Sequence, residues 1–147
     1  MPVNTDVTGK KWPAAEYEAG REKIREFANA VGEQSPVHQD PEAAKAAGFR
    51  NLVAPPMFCV VYSAPSVGPA FLDPEVGIDW ASLLHGSQAF DWGEPVCSGD
   101  LISTETTVTE IYEKGGMGFY IFESVSTNQN GDETVKGTWT QIVRGVS

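Results

Sequence analysis

The segment from Gly32 to Phe58, GEQSPVHQDPEAAKAAGFRNLVAPPMF, carries the strongest local signals in the chain. Its first part sets Glu33 and His38 five residues apart, with Pro36 between them. A carboxylate and an imidazole differ in basicity, as general acid–base chemistry requires, and a proline stiffens the loop that aligns them. This pair is the candidate catalytic site. The alternative is the commoner role of a lone loop histidine, in which His38 is a structural residue that caps the next helix.

The rest of that stretch predicts two helices. Asp40 is a typical N-cap, Pro41 suits the first helical position, and Gly48 ends a helix of one to two turns. A doubled proline then begins the apolar run of residues 56–64, which favours a helix, although a short buried strand also fits. A helix that is apolar on every side must be wrapped by the rest of the protein.

Toward the N-terminus, residues 16–31 predict an amphipathic helix that ends at Gly32 in a left-handed C-cap. Residues 1–15 predict an irregular arm with at most one short edge strand, because Pro13 blocks a helix there. The apolar stripe of the helix falls at i, i+3, i+4 and i+7 and consists of Ile24, Phe27, Ala28 and Val31.

Toward the C-terminus, residues 65–81 predict a long loop, since prolines and glycines recur throughout them. Strands are predicted at 83–92, 101–113, 117–127 and 133–144, from their alternating side chains and from turn sequences between them. Helices precede strands, so the fold class is α+β: an antiparallel meander of about four strands curved round one apolar helix. We expect residues 1–147 to form a single domain.

Composition excludes several kinds of function. A net charge of −10 argues against a nucleic-acid partner, and no apolar run approaches the length of a membrane span. The N-terminus carries no secretory signal pattern, so a cytoplasmic location is expected. Cys59 and Cys97 lack metal-ligand spacing, and no cofactor or metal is expected. An anionic partner would be tolerated best near a basic cluster that consists of Arg21, Lys23, Arg25, Lys45 and Arg50.

Four segments taken together resemble the MaoC-like hot dog dehydratases. The resemblance is strongest to the N-terminal MaoC type, which includes the subunits of the heterodimeric (3R)-hydroxyacyl-ACP dehydratase, and it runs from about Gly20 to Val143. It implies a hot dog fold, in which an antiparallel sheet wraps a long central helix. The four segments are GEQSPVHQD at 32–40, AAKAAGF at 43–49, LVAPPMF at 52–58 and PVCSGD at 95–100.

The resemblance also implies an activity, the (R)-specific hydration of 2-enoyl thioesters and the reverse dehydration of 3-hydroxyacyl thioesters. Active members carry a motif similar to Gly-Asp-x-Asn-Pro-x-His, whose acid and histidine hold the water. Carried onto this chain, the acid is Glu33, the Asn position is Ser35 and the imidazole is His38. The thioester would be acyl-CoA or an acyl group on acyl carrier protein, and its tail would lie near Phe58, Val61 and Tyr62.

The chain departs from the family pattern where active members have a segment similar to Ala-His-Gly-Met, whose backbone N–H binds the thioester oxygen. Here Pro56 replaces the glycine and has no N–H, so the N–H of Met57 is the nearest substitute. Loss of one such donor costs about 3 kcal/mol of transition-state stabilisation. Glu33 is also one methylene longer than Asp and must fold back, and Ser35 lacks the combined donor and acceptor of an amide.

Three readings follow. Glu33 and His38 are a working pair, or the chain is the acyl-binding half of a heteromer whose partner supplies the acid and base, or Glu33 activates water for thioester hydrolysis. A lone hot dog domain leaves one sheet edge and one side of the acyl tunnel open, so a homodimer or a heterodimer with another hot dog protein is expected. Asp100 is predicted to be a turn residue, and His85 to be structural.

Overall fold

The computed structural model describes residues 2–146, in which five strands form one antiparallel sheet in the order β1-β3-β4-β5-β2. Three α-helices precede β2, so the predicted α+β class is confirmed. The helices are α1 (Arg21–Ala30), α2 (Pro41–Ala46) and α3 (Cys59–Leu72); the strands are β1 (Ala15–Glu18), β2 (Leu83–Trp92), β3 (Leu101–Lys114), β4 (Met117–Thr127) and β5 (Glu133–Arg144).

The sheet differs from the predicted four-strand meander. Strands β3, β4 and β5 do follow one another as hairpins, but β2 pairs with β5, and β1 adds a fifth strand beside β3. On β3 the predicted alternation holds, because Ile102, Thr104, Thr106 and Val108 are all buried. The cross-over of β2 could not be read from the sequence, since alternation identifies a strand and not its neighbour.

The predicted helix at 16–31 begins too early. Residues 15–18 are strand β1, paired with β3 over Ala15–Glu18, and the helix runs only from Arg21 to Ala30. The helix end was predicted correctly: Gly32 has φ +74°, and the Glu33 N–H donates to the Ala28 carbonyl at 2.8 Å, as in a left-handed C-cap.

The predicted loop at 65–81 is wrong in its first half, because α3 continues to Leu72 through Pro65 and Pro69. Both prolines lie on the exposed side of the helix. The opposite side packs on the sheet, with Ser66, Val67 and Ala70 buried, so tertiary burial outweighs the local cost of the prolines. The start of the helix was predicted correctly, with a 3₁₀ turn at Pro56–Phe58 that leads into α3.

The core divides along α3. Its C-terminal half packs with Trp12, Phe122 and Trp139, and its N-terminal half, through Tyr62, packs with Phe58 and Ile102. A smaller cluster of Ala44, Val53 and Cys97 lies under α2. The second and third clusters support the loop that carries Glu33 and His38. No helix within residues 2–146 is long and apolar enough to cross a membrane.

Candidate active site

A cavity of about 280 Å³ lies beside the N-terminal end of α3. One wall is the segment that enters the helix, a second is the loop after β2, and His38 closes a third side. The walls are mostly apolar, as expected of a site that takes a small organic group. The lining residues are Val37, His38, Phe49, Val53, Ala54, Pro55, Pro56, Tyr62, Trp92, Gly93, Glu94, Pro95, Val96 and Thr134.

His38 is held in a defined orientation. It lies in a 3₁₀ turn, Pro36–His38, and is only 7% exposed. Its Nδ1 lies 2.7 Å from the Val53 carbonyl oxygen. Because a carbonyl only accepts, Nδ1 carries the proton in this contact, and Nε2 is the nitrogen left to exchange a proton with a ligand.

Glu33 is half-buried and does not line this cavity. Its carboxylate accepts a hydrogen bond from the Ser35 N–H at 3.3 Å. This contact holds the loop between the two candidate residues. The catalytic role of the pair remains a prediction.

The predicted substrate-binding residues divide between the cavity and its surroundings. Pro56 and Tyr62 line the cavity. Phe58 is fully buried among Tyr17, Phe27 and Tyr62 and so supports the floor rather than forming it. The three others, Ser35, Met57 and Val61, lie outside the lining, and their roles stay predictions.

The helix start offers few backbone donors. Pro55 and Pro56 have no N–H, and the Phe58 N–H already donates to the Pro55 carbonyl at 2.9 Å. The N–H of Met57 belongs to the first turn, where no intrahelical acceptor exists. Its role as a donor to a thioester oxygen stays a prediction.

Comparison with known proteins identifies the family. The family model for the FAS1-like, dehydratase domain region matches residues 6–136. The chain belongs to this dehydratase family. A UPF0336 protein of Clavibacter michiganensis is 44% identical over 146 residues, which cover 99% of this chain and 98% of the relative.

Solved structures agree with this family and with the hot dog fold. The C-terminally truncated HadBC (3R-hydroxyacyl-ACP dehydratase) complex from Mycobacterium tuberculosis contains a chain with 28% identity and a TM-score of 0.83, over 94% of this chain and 98% of that one. A MaoC-like dehydratase has 26% identity and a TM-score of 0.82, over 94% of this chain and 42% of that one. The predicted hot dog fold and the MaoC-like resemblance are confirmed.

In this dehydratase-family chain, the sequence reading missed two residues of the cavity wall. Trp92, at the end of β2, donates its indole N–H to the Pro56 carbonyl at 2.9 Å and so spans the cavity from the strand to the helix start. Glu94 is the carboxylate among the described residues that lines the cavity with His38. Neither had a sequence signal, because the loop after β2 reaches the site only through the pairing of β2 with β5.

Burial shapes the acid–base properties of the floor. It raises the pKa of the Tyr62 phenol well above its ordinary value, and a contact with Thr134 offsets this only in part. Burial likewise raises the pKa of the Cys59 thiol to about 11. Both groups are therefore neutral at physiological pH, and Tyr62 can act as a hydrogen-bond donor. Within residues 2–146 no group of three His, Cys, Asp or Glu side chains is placed to hold a metal ion.

The predicted basic cluster is largely neutralised. Arg25 contacts Glu22, Lys45 lies 3.6 Å from Glu42, and Arg50 lies 2.8 Å from Asp100. Arg21 and Lys23, on the exposed side of α1, are the members of the cluster without an ion pair among the described residues. The positive charge of this cluster that has no ion-pair partner among the described residues therefore lies on α1.

Proposed function

We propose that this chain takes part in the (R)-specific interconversion of 3-hydroxyacyl and 2-enoyl thioesters, with His38 as a catalytic residue. The observation that carries the proposal is the orientation of His38, whose Nδ1 is committed to the Val53 carbonyl while the ring lines an apolar cavity. The 28% identical HadBC structure is described as a (3R)-hydroxyacyl-ACP dehydratase, which agrees with that chemistry.

The proposed reaction needs two proton transfers. In dehydration, a base removes a proton from C2 of the acyl chain, and an acid protonates the hydroxyl on C3, so that water leaves and a double bond forms. Nε2 of His38 carries out one of these proton transfers, and a carboxylate carries out the other through the water molecule. Glu33 is the residue that the family motif assigns to this role, and Glu94 is the carboxylate that reaches the cavity.

The same proposal includes a second hot dog protomer. Strand β2 is an edge of the sheet and ten residues long, and an unpaired edge of that length invites another strand. Leu84 and Trp92 are 47% and 51% exposed on it. HadBC is itself a complex.

Two carriers remain within the proposal, CoA and acyl carrier protein. The net charge of −10 disfavours docking of an acidic carrier protein over most of the surface. Arg21 and Lys23 on α1 are the place where either anionic carrier would dock. We expect the acyl group to enter the cavity past Trp92 and Pro56.

A second candidate is a non-catalytic acyl-binding subunit. Two observations favour it: Glu33 is turned toward the Ser35 N–H and away from the cavity lining, and prolines occupy the helix start where donors are needed. In that case a partner protomer supplies the acid and base, and this chain holds the acyl group against Tyr62.

The deciding experiment measures crotonyl-CoA hydration by loss of the enone absorbance, with free thiol followed in parallel. The assay is run on the lone chain and on the chain with the hot dog protein that co-purifies with it. His38→Ala is expected to abolish hydration, while His85→Ala, which lacks a cavity contact, is expected to retain it. Glu33→Gln and Glu94→Gln then identify the second group.

Each outcome separates the candidates. Hydration by the assembly that is unchanged in His38→Ala would remove the catalytic proposal and support the acyl-binding one. Thiol release without hydration would indicate a thioester hydrolase. A loss of rate in Glu94→Gln with none in Glu33→Gln would move the carboxylate role from the motif residue to the loop after β2.

A further inference from the structure

Asp100 is fully buried, and its carboxylate is saturated with hydrogen bonds. Arg50 donates to both oxygens, at 2.8 and 3.0 Å, in a two-pronged contact. The Cys97 N–H donates to Oδ2 at 2.9 Å, and the Gln129 side chain donates to Oδ1 at 3.0 Å. A carboxylate held this completely fixes every segment that donates to it.

The segments that Asp100 joins lead directly to His38. Cys97 forms a β-bridge with Val53, and Val53 provides the carbonyl that accepts from Nδ1 of His38. Backbone bonds on both sides of the bridge extend it, from the Ala54 N–H to the Val96 carbonyl at 2.8 Å and from the Ser98 N–H to the Leu52 carbonyl at 2.7 Å.

Arg50 closes this arrangement into a ring. It lies three residues before Val53 in the chain and contacts Asp100 three residues after Cys97. The chain from Arg50 to Val53, the bridge to Cys97 and the turn to Asp100 therefore form one closed loop. The Val53 N–H also donates to the Val37 carbonyl at 2.9 Å, so the residue before His38 is tied to the same ring.

We propose that Asp100 and Arg50 are positioning residues for His38, which set its tautomer by fixing the Val53 carbonyl. The inference deepens the proposed function and rests on it for its catalytic consequence. Neither residue lines the cavity, so neither contacts the substrate there. Their effect passes through the ring: if the 50–53 segment relaxes, the carbonyl moves, and Nδ1 of His38 loses the acceptor that keeps its proton in place.

The test uses nuclear magnetic resonance of the assembly with isotope-labelled histidine. The chain contains two histidines, and His85 serves as an internal reference because its Nδ1 accepts from Gln141 at 3.0 Å, outside the ring. In the wild type we expect His38 as the Nδ1–H tautomer. In Arg50→Met we expect that tautomer to lose population to Nε2–H, with the His85 resonances unchanged. Arg50→Lys, which keeps the charge without the two-pronged contact, is expected to be intermediate.

A matched control removes another charged contact between loops. Lys10→Met breaks the ion pairs of Lys10 with Asp73 and Glu75, both at 2.7 Å, at a place outside the ring and the cavity. It is expected to leave the His38 tautomer as in the wild type. A His38 spectrum in Arg50→Met that matches the wild type would overturn the proposal, even if the melting temperature falls, because a merely structural ion pair would lower stability alone.

The kinetic readout is separate. In Arg50→Met we expect kcat to fall by about ten- to a hundredfold with KM little changed. The reason is that the misplaced His38 imidazole transfers its proton in the transition state. Unchanged kcat together with a changed tautomer would contradict the catalytic role of the positioning. If the wild-type assembly has no hydratase activity, the proposed function fails, and the tautomer measurement still decides whether Arg50 and Asp100 hold His38.

Discussion

At the scale of single residues, two pairs of hydroxyl side chains in the core share hydrogen bonds. Ser66 and Thr106 share a hydrogen bond of 2.8 Å between α3 and the sheet, and Thr104 and Ser126 share one of 2.7 Å between β3 and β4. Each pair avoids the cost of a buried polar atom without a partner. Sequence alternation placed Thr104 and Thr106 on one side of a predicted strand, but it could not predict which hydroxyls meet.

The Asp100 carboxylate gives a pH-dependent prediction. Burial by itself raises its pKa, but the bonds from Arg50, Cys97 and Gln129 outweigh burial, and the net pKa is lowered. Because its pKa is lowered in the folded state, the ionised carboxylate stabilises the fold at pH values above the ordinary pKa of about 3.9. This stabilisation is lost as the pH falls through the pKa of the folded state. Asp100→Asn is therefore expected to lower the free energy of unfolding at neutral pH by about 1–3 kcal/mol.

Urea denaturation at neutral pH and at successively lower pH checks this. The difference between wild type and Asp100→Asn should begin to shrink below about pH 4, where the carboxyl of the unfolded chain takes up a proton. It should disappear as the pH falls through the lower pKa of the folded state. Asp6→Asn, at an exposed position in the N-terminal arm, is the control and should show no difference. A difference in the free energy of unfolding that stays constant down to the lowest pH measured would contradict a stabilising role of the ionised Asp100 carboxylate.

Close packing at Gly137 gives a second residue-scale prediction. A Cβ there would lie 2.7 Å from the Ser124 Oγ and 2.8 Å from the Trp139 Nε1, two atoms that are hydrogen-bonded to each other. Gly137→Ala is expected to destabilise the protein by about 1–3 kcal/mol. Thermal unfolding is the measurement. Gly68→Ala on α3, where an added Cβ meets nothing within 4 Å, should be neutral or stabilising.

At the scale of elements, tertiary contacts overrode local signals twice. Residues 15–18 are a strand, although they continue into a helical pattern, because β3 offers an edge to pair with. Helix α3 runs through two prolines because its other face is buried against the sheet. The residue types of a single segment do not carry this information, since the compensating burial comes from distant residues.

The cost of those prolines is measurable. Pro69 lies inside α3 on its exposed side and lacks the N–H of a regular helical residue. Pro69→Ala restores the donor, and we expect the free energy of unfolding to rise by about 1–2 kcal/mol, less than the full helix-propensity difference because the unfolded chain also becomes freer. Urea denaturation gives the value. A loss of stability instead would show that the proline holds a bend that the packing of α3 requires.

At the scale of the whole molecule, the sheet ends at β2 with an open edge and exposed apolar side chains. Exposed apolar area along an unpaired edge marks a place for another chain. The chain is also unevenly charged: residues 51–147 carry three Lys or Arg and twelve Asp or Glu, which leaves the N-terminal region as the less acidic part. Arg21 and Lys23, on the exposed side of α1, lie in this less acidic part.

The edge gives a prediction about assembly. Leu84→Glu places a charge on the exposed apolar surface of β2 and is expected to convert the assembly of two hot dog protomers to monomers. Sedimentation velocity of the purified assembly measures this. The matched control is Met117→Glu, at a half-exposed position of β4, an inner strand of the sheet, and it should leave the assembly intact. Equal dissociation in both variants would argue against β2 as the contact.

Local sequence signals were enough to predict the fold class, the end of α1 at Gly32, the start of the central helix at Pro56, and the loop that holds His38. These depend on backbone rules of glycine and proline and on periodicity, which act within a few residues. Contacts between distant segments set the strand order, the length of α3, the approach of Trp92 and Glu94 to the cavity, and the ring through Asp100. Arg50 and Asp100 are 50 residues apart, and no local pattern records a contact that forms only when separate segments pack.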